Sequence, residues 1–310
     1  MSNVLTLNSN QTYINQLDEI VNLPTIMSSP VKFMDHNDNI HQDPDRKVIY
    51  TDQSSKVINV VKKGYTFENN QPSDIVRLSE ATLLQSGVSL KGLSRTAQIA
   101  PDGSKMILQY TLPEFTVDLG NGDETRFQIL FYNSYDGSWS FTVRAGAIRL
   151  ACLNGQVSVD DISMFKAKHT PSINPDHARR KMVLAIQQFH AEGERWARWK
   201  EQSVTNREAL RTFADAAGCK FVHENNDMTL MELFQHKNVY SNRSLMYMWN
   251  QYTNHEQPKL GSNEWAVYNA LTHWSTHAPA GRKTDENNVL GTLVRRQDKV
   301  RNAVALGLAA

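Results

Sequence analysis

Three groups of residues in this chain have the types and spacing that chemistry requires. The first is Arg149-x-x-Cys152-x-Asn154, followed by His169-Thr170. A cysteine paired with a histidine can serve as nucleophile and base. A cysteine set among Ile148, Leu150, Ala151 and Leu153 also reads as an ordinary small core residue. Asn154-Gly155 reads as a turn, and Arg149 as a partner for a phosphate or a buried carboxylate. The second group is His273-x-x-x-His277. Four residues apart on a helix, two imidazoles share a face, as metal ligands must. Further ligands would come from His223, His236, His255 or Asp285, none at diagnostic spacing, so no metal is expected. The plainer reading is a histidine pair at a helix C-terminus, where the dipole favours it. The third group is the stretch 176–200, where Arg179, Arg180, Arg195, Arg198 and Lys200 interleave with Trp196 and Trp199. Cations there could neutralise phosphates while an indole stacks on a base. Because Met182, Phe189 and Trp196 fall on one stripe, the same stretch reads as an amphipathic helix. Its tryptophans would pack inward and its charges would face water.

These groups need elements to position them. Phe127, Ile129 and Phe131 alternate with Gln128, Leu130 and Tyr132, and a second alternating run passes through Trp139, Phe141 and Val143. Asp136-Gly137 between them is a hairpin signal. Strand-like runs also fall at 47–50, 56–61, 93–100 and 106–112, separated by turn residues. A helix starts at Pro72-Ser73-Asp74 and stops at Gly87. Beyond Pro171 the apolar spacing becomes helical, predicting helices over 176–200, 203–217, 228–234, 262–276 and 285–308. Thr205 and Glu208 stand in capping-box relation, with Gly218 closing that helix. The fold class expected is α+β, with an antiparallel sheet in the first half packed against helices of the second half. Residues 1–47 are polar and broken by Pro24, Pro30 and Pro44, which predicts a partly disordered arm with at most a short helix near 11–21. Residues 48–175 then form a β-rich core, and 176–310 a helical region packing on the sheet.

The chain has 310 residues and a formal net charge of +1, enough length for a substantial core. The balance is uneven: residues 1–60 are acidic, while 168–211 and 281–301 are basic, a pattern that suits an anionic partner. Only two cysteines are present, Cys152 and Cys219, in no paired motif. No signal-peptide pattern or membrane-length apolar run is present. A cytoplasmic setting is therefore expected. Walker, dinucleotide-binding and paired-cysteine zinc motifs are missing too. Their absence removes the common nucleotide hydrolases and most oxidoreductases, and no cofactor is expected.

Arg149, Cys152 and Asn154, then His169-Thr170, then Trp265-x-x-Tyr268-Asn269 and His277 resemble the phage- and plasmid-borne "domain of unknown function 932" family over about residues 48–300. The family pattern has an acidic residue where this chain has His273. The resemblance implies a mobile element or phage inside a bacterial cytoplasm, and supplies no activity. The function expected is non-enzymatic binding of single-stranded nucleic acid in phage replication or recombination, with annealing by a homo-oligomer. Arg144, Arg149, Arg179, Arg180, Arg195, Arg198 and Lys200 would meet phosphates, and Trp196 or Trp139 would meet bases. The alternative is a phage protein that binds a host protein, to block a defence or redirect an enzyme, with residues 1–47 as the recognition segment. A metal-dependent enzyme using His273 and His277 is a third class.

Overall fold

The structure is a computed structural model that describes residues 13–15, 23–65, 71–85, 87–120, 122–151, 153–157, 165–167, 175–281 and 284–308. Its centre is a seven-stranded antiparallel sheet. In chain order these strands are β1 (Tyr13–Asn15), β5 (Ser94–Ile99), β6 (Lys105–Asp118), β7 (Glu124–Ser134), β8 (Phe141–Arg149), β9 (Asn154–Val157) and β10 (Phe165–Ala167). They pair as β1-β5-β6-β7-β8, and the far edge of β8 is shared by β9 and β10. A second sheet has three strands, β2 (Ile26–Met34), β3 (Ile40–Thr51) and β4 (Ser54–Lys62), paired in that order. The fold is α+β, with helices gathered mostly in the C-terminal half.

Alternation along β7 fills both faces of the large sheet. Phe127, Ile129 and Phe131 join the main core, which also takes Ala185, Phe189, Trp196 and Trp199 of α2 (Pro175–Glu201). Ile75 and Leu83 of α1 (Pro72–Gln85) belong to the same core. Leu130 and Tyr132 point the other way and meet Leu290 and Leu293 of α10 (Val289–Gly307). A strand covered on both sides carries few polar positions, and all of β7 from Phe127 to Ser134 is buried.

The helices between α2 and α10 are α3 (Asn206–Ala217), α4 (Phe221–Glu224), α5 (Leu230–Gln235), α6 (Lys237–Tyr240) and α7 (Arg243–Gln251). A π-helical turn (Tyr252–Glu256) leads to α8 (Gln257–Leu260) and α9 (Glu264–His277). The capping box at Thr205 and Glu208 is present, and Gly218 closes α3 in the left-handed conformation at φ 69°. Asn263 opens α9, accepting the Ala266 amide at 2.9 Å.

The expectation for residues 1–47 is corrected in part. Residues 26–51 form a β-hairpin, because Asp35-His36-Asn37-Asp38-Asn39 makes a tight turn. Asp35 accepts the amides of Asn37 and Asn39, both at 2.9 Å, and Asp38 takes a left-handed φ of 63°. The strand Tyr13–Asn15 pairs with β5, and the rest of the helix expected near 11–21 lies outside the described residues.

Gly193 of α2 lets the helix approach β6 closely: a Cβ there would lie 2.7 Å from a Val117 methyl. Gly193→Val should therefore lower stability by about 1–3 kcal/mol, the usual cost of overpacking. Adding Val117→Ala should recover part of that loss. Urea unfolding of the two variants and the wild type measures both.

Candidate functional site

The resemblance motif assembles inside the protein. Arg149 ends β8, and its Nε bonds the Asp123 carboxylate in the β6–β7 turn. Its guanidinium reaches Glu256 of the π-turn at 3.4 Å and lies 6.0 Å from the centre of the Trp265 ring. Trp265 donates from Nε1 to Asp123 at 3.0 Å, and Gln251 donates to Glu256 at 3.0 Å. Arg149, Asp123 and Glu256 are all buried. Charges this deep persist only when paired and hydrogen-bonded, as these are. Tyr268 stacks on Trp265 at 5.7 Å and meets Trp199 at 5.1 Å, while Asn269 donates back to the Trp265 carbonyl at 2.8 Å. Of the two readings of Arg149, the structure supports the buried carboxylate. Cys152, His169, Thr170 and the side chains of Asn154 and Arg179 lie outside the described residues.

The residues expected at a nucleic-acid surface divide. Arg144 is buried against the other side of the sheet, 2.9 Å from Asp298 and 5.2 Å from the centre of the Tyr132 ring. Trp196 is buried between Phe189 at 6.0 Å and Trp265 at 5.8 Å. Trp139 packs edge-on to Tyr132 at 6.2 Å. For Arg144, Arg149 and Trp196 the expectation of surface contact is corrected: each is enclosed by the partners that hold the sheet to its helices. Arg195 is half-buried beside Glu192 at 3.2 Å, and Lys200 donates to the Leu119 carbonyl. Arg180 and Arg198 face outward, on the exposed stripe that also carries Glu194 and Glu201.

His273 and His277 do share a face of α9, their rings 4.6 Å apart. Tyr247 Oη lies 3.2 Å from His273 Nδ1. Among the described residues, no three His, Cys, Asp or Glu side chains group closely enough to hold a metal. Arg296 of α10 closes the end of α9, donating to the carbonyls of Ala278 and Pro279 and lying 5.4 Å from the Trp274 ring centre. Burial, and then the charges of His277 and His255, lower His273 to about 4. Cys219 is buried and free of any disulfide.

A separate surface lies on the small sheet. Its root is anchored: Gln71 exchanges two hydrogen bonds with the Ile26 backbone, at 2.9 and 2.8 Å, and Asn59 donates to the Asp136 carbonyl at 2.8 Å. Ile26, Ile49 and Val61 bury one face against Tyr135. Beyond residue 31 the hairpin is largely uncovered. Phe33, Met34 and Ile40 at its tip are 53%, 64% and 72% exposed. Hydrogen bonding from His41 at 2.8 Å and from the Asn39 and Asn37 amides holds the Asp35 carboxyl down to about 2. At the root, a cleft of about 330 Å³ is lined in part by Ser28, Ser29, Asp43, Arg46, Lys47 and Lys63. The signal in the sequence was three large apolar residues flanking a run of turn formers.

The molecule is thus an α+β protein with a buried ionic node joining its sheet to its helices, and with a hairpin arm beside that body. The chain belongs to the family described as domain of unknown function (DUF932), whose model matches residues 57–303. That span begins within β4, so β1, β2 and β3 precede it. No curated protein and no solved structure matches the chain. No helix among the described residues is long and apolar enough to cross a membrane.

The histidine gives a pH prediction with a definite sign. His273 is lowered from 6.5 to about 4 on folding, so its contribution is present above pH 6.5 and lost as pH falls towards 4. Glu264 is raised from 4.5 to about 7 by burial and then by Glu208, so its stabilising contribution is present below pH 4.5 and lost as pH rises to 7. Melting temperatures between pH 7.5 and 4 (roughly the span of both shifts) should show His273→Gln losing less than wild type on acidification. Glu264→Gln should lose more.

Proposed function

We propose that this protein is a non-enzymatic interaction protein that engages another protein through the β2–β3 arm. The observation that carries this is the tip itself. Phe33, Met34 and Ile40 stand in water on a two-stranded ribbon. Such a ribbon is marginal on its own, and clustered large apolar groups on a surface mark a docking site. The reading keeps the expected recognition segment and narrows it from residues 1–47 to the hairpin. Acidic residues at the tip, Asp35 and Asp38, set it against anionic partners such as nucleic acid or a lipid surface. The setting proposed remains a phage or mobile element in a bacterial cytoplasm, with a host protein as one class of partner.

Single-stranded nucleic acid is the second reading. Its support is the root cleft, where Arg46, Lys47 and Lys63 accompany Ser28 and Ser29, together with Arg180 and Arg198 on α2. The exposed stripe of α2 is charge-balanced, which weakens the helix as a phosphate track.

A photo-crosslinking residue replacing Phe33 tests the first reading against the same residue replacing Lys91, which is exposed on the body. Irradiation in cells should give a discrete protein adduct from position 33 and none from 91. The absence of an adduct at 33 would refute it. For the second, a labelled single strand should bind with a log–log salt slope of about −0.7 per phosphate contact. Arg180→Ala with Arg198→Ala should then flatten the slope by about 1.4. Lack of binding at low salt would remove that reading.

A further inference from the structure

The small sheet has an open face as well as a buried one. Partners across antiparallel strands share a face, and so do residues two apart along a strand. The pairs Arg46 with Lys62 and Val48 with Val60 therefore lie together, next to Ser29, on the side away from Tyr135. Val60 is 49% exposed. This face offers aliphatic surface edged by two cations placed directly opposite one another. Like charges so placed oppose the pairing of their own strands, and an anion laid over them relieves the repulsion.

The arm tip is the complement of that face. From Phe33 to His41 the hairpin holds two aspartates, three large apolar residues and no lysine or arginine. Asp35 stays ionised, because its turn hydrogen bonds stabilise the carboxylate. Both surfaces belong to the small sheet, separated along β2 by the roughly 13 Å that the four residues from Ser29 to Phe33 span. A two-fold axis that sets two such hairpins antiparallel places each tip on the other's root, and both contacts form at once. Edge-to-edge pairing through β2 is opposed by Pro30 and by the register shift between Pro30 and Lys32. A face contact is left.

We infer that the partner of the arm is a second copy of this chain, with the Phe33 face of each protomer's tip seated on the Arg46–Val48–Val60–Lys62 face of the other. This rests on the arm being a protein-docking element and names its occupant. The dimer is isologous and partly electrostatic, so salt weakens it.

The experiment is sedimentation equilibrium of the full chain at low and high salt, with two variants. Phe33→Lys disables the tip, and Val60→Asp with Lys62→Glu disables the root face. All three positions are exposed in the protomer, and circular dichroism melts check that each variant folds. The wild type should be a dimer, and each variant should associate about 10-fold or more weakly. Mixed together, the two variants should form a heterodimer. One protomer then supplies an intact tip and the other an intact root face, so one of the two contacts survives.

A wild type that stays monomeric at every concentration overturns this inference. In that case a photo-adduct from position 33 at a mass other than twice 35.2 kDa still supports a docking arm with a different protein partner. A dimer unaffected by the tip variant overturns the inference, and if position 33 also gives no photo-adduct the arm reading falls with it. A mixture with no heterodimer overturns the tip-on-root geometry. If the wild type is a monomer whose single-strand binding is abolished by Lys62→Glu, the root face belongs to nucleic acid and the inference falls.

Discussion

A guanidinium enclosed by two carboxylates is the constraint on which this structure rests. Arg149 comes from the last position of β8, Asp123 from the β6–β7 turn and Glu256 from the π-turn before α8. Taking three charges out of water costs several kcal/mol per ion, and the cost is recovered only if every group keeps good partners. Trp265 and Gln251 supply the extra donors. The wide turn of the π-helix sets Glu256 inward in a stretch where a regular helix would follow a different phase. Sheet and helical half can therefore meet in one register, since a shift of either would strand a buried charge.

Around the node runs a line of aromatic contacts. Phe127 meets Phe189, Phe189 meets Trp196, Trp196 meets Trp265, and Trp265 meets Tyr268. Burial of these rings supplies the bulk of the attraction between α2, α9 and the sheet, while the ionic node selects one arrangement of them. The opposite face repeats the scheme with α10: Arg144 pairs with Asp298, Tyr132 donates to Gln297 at 2.9 Å, and Lys105 reaches Asp136 and Asn288. The consequence for function is direct. Several cations that would suit an anionic ligand are occupied inside the protein, while the tip of the small sheet leaves Phe33, Met34 and Ile40 exposed.

Much of this architecture was legible in the sequence. Alternation in 127–132, the stop at Gly87, the capping box at Thr205 and the helical spacing beyond 176 each reflect a local rule that the fold obeys. The stripe of Phe189 and Trp196 points inward, as amphipathic spacing predicts. What local rules could not supply was the destination of the charged residues. Arg144 looks like a surface cation, and Arg149 suits a phosphate as well as a buried carboxylate, until Asp298, Asp123 and Glu256 are brought to them from 26 to 154 positions away. The hairpin at 26–51 was obscured by Pro30 and Pro44, which read as breakers. A register shift absorbs Pro30, while Pro44 stands exposed in β3.

The Arg149 node is an internal joint between sheet and helices. Urea unfolding of Arg149→Met, compared with the triple variant Asp123→Leu, Arg149→Met, Glu256→Met, measures this most directly. Arg149→Met alone should cost about 3–5 kcal/mol, because two carboxylates are left buried without their cation. The triple variant should recover much of that loss, since an apolar replacement of a buried ionic group is close to neutral. A loss below about 1 kcal/mol for Arg149→Met, the level of an exposed ion pair, would contradict the account and return Arg149 to the surface as a group available to a ligand.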